Sequence, residues 1–174
     1  MTDGWQDLGR GLLFDFLDDA RTQPEAYPDT FITSGFAGGV ITINVLEADD
    51  VARTAAQAEL RERYRTLLGH FRHESGHYFW SLLSDDEKAT GMFADLFGDA
   101  GAEYRQSLDH YYEQGPPADW EQRYISAYAS AHPLEDWAET WSHYLLMHDA
   151  LETAHAHGLI DTPPLASAFV ERIS

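Results

Sequence analysis

The chain has 174 residues, 44% of them hydrophobic and 13% aromatic, which is enough to bury a core in one domain read as spanning residues 1–174. It has no cysteine, which excludes a disulfide framework, a thiolate zinc site and a cysteine nucleophile, so any metal must be held by His, Asp or Glu. Lys and Arg total 11 against 30 Asp and Glu, a formal net charge of −19, and so acidic a surface repels phosphate backbones and anionic lipid headgroups, setting nucleic acid and membranes aside as partners.

The amino terminus, MTDGWQDLGRGLLFDFLDD, carries acids through its apolar run and lacks a positive start, so it does not read as a signal peptide. No stretch approaches the roughly 20 apolar residues that span a bilayer. The expectation is a soluble, cytoplasmic chain. Residues 12–20 predict a short amphipathic helix with Leu12, Phe16 and Leu17 on one side. Residues 23–29 hold two prolines and read as a connection. Phe31 and Ile32 suggest a short strand. The glycine-rich stretch 34–39 calls for tight or left-handed geometry. Residues 40–45 (VITINV) are the most strand-like segment, with an edge available for pairing to an extended peptide.

Asp49 and Asp50 open a helical stretch over residues 49–68, with acids where the helix dipole favours them. Gly69 marks either a break or a point through which the helix continues. Residues 92–97 and 104–112 carry apolar side chains at helical spacing, and Gly115-Pro116-Pro117 is the clearest breaker. Residues 120–129 and 134–156 predict two further helices, the second with Pro133 placed for a first helical turn. After Gly158 come Pro163-Pro164 and a short apolar helix. The pattern predicts an α+β, predominantly helical fold with a small β-sheet near the N-terminal part.

The segment His73-Glu74-Ser75-Gly76-His77 is an HExxH motif. On an α-helix residues four apart project from one face, so both imidazoles can reach one ion. Glu74 is rotated about 100° from the first ligand, where it can accept a proton from water at the metal. Phe71, Tyr78, Phe79, Leu82 and Leu83 flank the motif, which makes the helix internal, and buried polar groups at this spacing need partners. Two histidines leave a tetrahedral zinc one protein ligand short. Downstream, Glu135 and Glu139 lie on one face of a helix, the first as candidate ligand and the second able to accept the other N–H of a ligand histidine. Asp136 is the rival ligand. His70 and His132 read as supporting or helix-capping residues.

Taken together, YRTLLGHFRHESGHYFW, EQGPPADWEQRY and SAYASAHPLEDWAETWSHYL resemble the bacterial zinc-binding metallopeptidase family, over most of the chain. The resemblance implies a zincin fold and a zinc hydrolase, and a carboxylate ligand followed four residues later by an acid is the gluzincin arrangement. It leaves the substrate open. Relatives often carry a cysteine-rich, zinc-ribbon-like segment ahead of this domain, and this chain has no cysteine. One spacing is similar to the anthrax lethal factor protease, where a tyrosine seven residues before the glutamate ligand is placed to stabilise the oxyanion. Here Tyr128 stands seven before Glu135. The expected function is a zinc-dependent metallopeptidase acting on a peptide or protein, with Zn2+ on His73, His77 and Glu135. Glu74 is the expected general base, Tyr128 an oxyanion donor and Glu139 the partner of a ligand histidine. A catalytically inactive zinc-binding domain serving folding or partner binding is the alternative.

Overall fold

The computed structural model describes residues 11–49 and 66–161. Most of the helix expected over 49–68, and the one expected after Pro164, lie outside the described residues. In chain order the described elements are β1 (Leu13–Leu17), β2 (Gly35–Ala37), β3 (Val40–Asn44) and a 3-10 turn at Val45–Ala48. Then follow α1 (Leu67–Leu83), α2 (Glu87–Phe97), α3 (Tyr104–Gln114), 3-10 turns at Trp120–Gln122 and Tyr128–Ala131, and α4 (Pro133–Ala156). The architecture is α+β, mostly helical, with one small sheet at the front.

The sheet runs in the order β1-β3-β2, with β1 parallel and β2 antiparallel to β3. The first element is therefore a strand, where a helix was expected over 12–20. Alternation decides it: Phe14 and Phe16, two apart, both bring their rings to Phe71 of α1, at 5.8 and 6.0 Å between centroids. The same face carries Ile41 and Ile43, which are fully buried and stand opposite those phenylalanines. Phe36 of β2 joins them and meets Tyr78 of α1.

Phe31 and Ile32 do not form the expected strand. The Ile32 N–H donates to Asp19, and its carbonyl accepts from the Asn44 amide and the Arg21 guanidinium. Side chains thus satisfy backbone groups that a ladder would otherwise need. The glycine-rich stretch supplies β2 and a two-residue hairpin in which Gly38 and Gly39 both take positive φ, 56° and 86°. That geometry matches the twist of the flanking strands. VITINV reads equally as a plain structural strand or as an edge for a peptide, and because β3 pairs on both sides it is the former and has no open edge.

α1 begins at a Thr66 cap and runs straight through Gly69. Residues 120–129 are not the helix expected of them. Ser126 accepts from the Ala129 N–H and Ser130 donates to the Ala127 carbonyl, so short side chains compete for helix hydrogen bonds, while Ile125 is left exposed. α4 starts as expected, with Pro133 in its first turn. Among the described residues no helix is long and apolar enough to cross a membrane.

Candidate metal centre

α1 and α4 approach closely because small residues line their contact. Gly69 and Gly76 on α1 and Ala138 and Ser142 on α4 are all buried. A Cβ at Gly76 would fall 3.0 Å from the Ala138 Cα. Two indoles fasten the pair: Trp137 Nε1–H donates to the Gly76 carbonyl at 2.8 Å, and Trp141 Nε1–H donates to Ser75 Oγ at 3.0 Å. Around them Trp80, Phe93, Phe97 and Trp137 form an aromatic layer joining α1, α2 and α4. The HExxH face of one helix is thereby held against the first turns of the other.

The structure brings His73, His77 and Glu135 into one cluster. His73 Nε2 lies 3.1 Å from Glu135 Oε2 and 3.2 Å from His77 Nε2, and His77 Nε2 lies 3.5 Å from Glu135 Oε1. Ligand atoms on a tetrahedral zinc with bonds of about 2.0–2.1 Å stand about 3.3–3.4 Å apart. The donor set thus has the spacing as well as the chemistry of a zinc site. His73 Nδ1 faces Glu139 Oε1 at 2.7 Å, so its N–H donates there and Nε2 is turned toward the cluster. Ser126 also hydrogen bonds Glu139.

The electrostatics follow from burying these charges side by side. Burial pulls the His73 imidazole down, but the Glu135 and Glu139 carboxylates outweigh it and hold it up at about 10. Burial raises Glu135, while His73 and His77 more than offset this and keep its carboxyl well below the usual range. Glu139 is lowered in the same way, its burial offset chiefly by His73. A carboxylate only 1% exposed keeps its charge at this place because cationic or metal partners surround it.

Glu74 is buried beside the cluster, with its carboxyl pushed up by burial against the pull of His73 and His77. Tyr128 brings its ring to 6.0 Å from that of His73 and 5.7 Å from that of Tyr111. Burial pushes the Tyr128 phenol up, so it stays protonated. Asp136 lies outside the cluster, bonded to Thr140, and burial lifts its carboxyl to about 6. His70 pairs with Glu47. His132 caps α4: its Nδ1 accepts from the Leu134 N–H and its Nε2–H donates to the Ala102 carbonyl.

One residue of the site was not anticipated. Tyr104, the first residue of α3, donates its phenol O–H to Glu135 Oε1 at 2.5 Å. A cavity of about 330 Å3 beyond the Tyr111–Tyr128 pair, lined by Ser107, His110, Gln114 and Ser130 among others, contains none of the cluster.

Uncharacterized proteins of Mycobacterium tuberculosis and Mycobacterium bovis are 46% identical to this chain over 155 residues. The match covers 88% of this chain and 43% of each relative, so the chain spans less than half the length of the curated relatives it matches. No solved structure matches it. The family described as "Putative zinc-binding metallo-peptidase" matches residues 1–173, and to that family this chain belongs.

Proposed function

We propose that the chain is a zinc-dependent peptidase of the gluzincin type, acting on a peptide or protein substrate. The observation that carries this reading is the convergence of His73 Nε2, His77 Nε2 and the Glu135 carboxylate at zinc-ligand spacing, with Glu74 beside them. A bound zinc supplies a Lewis acid, lowering the pKa of a water toward about 7 and polarising the scissile carbonyl.

The chain's own residues do the rest. Glu74 accepts the proton of the attacking water as its oxygen bonds to the carbonyl carbon. Burial raises this carboxyl, which makes its carboxylate more basic. When the C–N bond breaks, Glu74 returns that proton to the leaving nitrogen. Tyr128, kept protonated by burial, donates a hydrogen bond to the oxygen that gains negative charge. Glu139 holds His73 in the tautomer that presents Nε2.

A peptide-library cleavage assay with chelator and Glu74→Gln controls tests the reading. Cleavage should stop with chelator, and Glu74→Gln should keep its zinc while turnover falls about 10²–10⁴-fold. Equal turnover in that variant removes Glu74 from the base role. Zinc retained with no cleavage of any peptide favours a zinc-binding domain without catalysis.

A further inference from the structure

We infer that Tyr104 is a positioning residue that holds the Glu135 carboxylate to a metal through one oxygen only. The inference rests on the zinc reading above and adds to it a residue from α3, an element that carries none of the proposed ligands. The two oxygens of Glu135 have different surroundings. Oε1 accepts the Tyr104 O–H at 2.5 Å and stands 3.5 Å from His77 Nε2, while Oε2 faces His73 Nε2 at the shorter 3.1 Å and has no phenol on it. A phenol on Oε1 takes up acceptor capacity of that oxygen and so disfavours its joining Oε2 on the same metal. Glu135 then fills a single coordination position, and a place remains for water, as an open zinc site requires.

Tyr104 is itself held in place. Its ring stands edge-on to that of His132, 5.0 Å between centroids. His132 is 3% exposed and pinned at both nitrogens, to the Leu134 N–H and to the carbonyl of Ala102, two residues before Tyr104. The start of α3 and the start of α4 are thus tied together one turn from Glu135. Tyr104 is 41% exposed, so the side chain stands at the rim with its hydroxyl turned inward. Tyr128 stands elsewhere in the site, its ring against His73.

The test compares the whole chain with its Tyr104→Phe variant, which keeps the ring against His132 and removes only the O–H. Zinc affinity, read by competition with a chromophoric chelator, should weaken about 10–100-fold. X-ray absorption at the zinc edge should show one carboxylate oxygen in the unaltered chain and an added one in the variant. Equal affinity with unchanged coordination overturns the inference. So does a two-oxygen carboxylate in the unaltered chain, a measurement that needs no variant to fold. If the unaltered chain binds no zinc, the zinc reading fails first and this inference with it.

Discussion

His73 sits between two carboxylates, and that placement decides where its proton goes. An unfolded histidine titrates near about 6.5, whereas Glu135 and Glu139 hold folded His73 at about 10 against the effect of burial. With the folded value above the unfolded one, the protonated ring stabilises the zinc-stripped chain fully below about pH 6.5, and the contribution is lost as pH rises through about 10. Glu135 behaves oppositely: its lowered carboxyl stabilises above about pH 4.5 and ceases to do so on acidification. Zinc bound at the proposed site would take the same His73 nitrogen and so expel the proton. Chelator-treated protein should therefore melt at falling temperature between about pH 7 and about pH 10, and His73→Gln should remove that fall. A flat profile in the unsubstituted chain would mean that the ring is not protonated there. At this scale the His73–His77 pairing was legible because helix geometry turns a four-residue spacing into a shared face. Tyr104 was not legible, since it meets Glu135 across 31 residues and a loop that no periodicity describes.

Between elements, the site depends on how near α1 can come to α4. The glycine inside the HExxH motif sets that distance, since a methyl group at Gly76 would press on the Ala138 backbone at 3.0 Å, and on Trp141 at 3.2 Å. Backbone cannot swing aside as a flexible side chain can. Gly76→Ala gains about 1 kcal/mol of helix propensity but incurs about 1–3 kcal/mol of overpacking. The expected result is a net loss of up to about 2 kcal/mol in urea denaturation, with weaker zinc binding as the imidazoles move off Glu135. A stabilised variant with unaltered zinc affinity would show that the helices have room to spare. The long helices and the Gly-Pro-Pro breaker could be read from the sequence because period and stop signals agree there. The first strand could not, because its Leu-Phe-x-Phe-Leu run satisfies both helical and alternating templates until Phe71 selects one. Residues 120–129 defeated the reading for another reason: serine hydroxyls took the hydrogen bonds that a continuous helix needs.

Across the whole molecule, 30 acidic residues face 11 basic ones, and their mutual repulsion works against the compact state. A cation bound between α1 and α4, as proposed, would oppose this in two separable ways. Any divalent ion screens surface carboxylates, but only one suited to two imidazoles and a carboxylate links the two helices, and magnesium prefers oxygen ligands and keeps its waters. Zinc at about 100 times its dissociation constant should add about 2.7 kcal/mol to unfolding if it binds only the folded chain. In a chain of this size that corresponds to a melting temperature about 5–10 °C higher. The rise should vanish in His77→Ala, and magnesium at equal ionic strength should give little of it. A magnesium shift as large as that of zinc, or a zinc shift that survives His77→Ala, would assign the effect to general screening of the carboxylates and separate it from the His73–His77–Glu135 cluster.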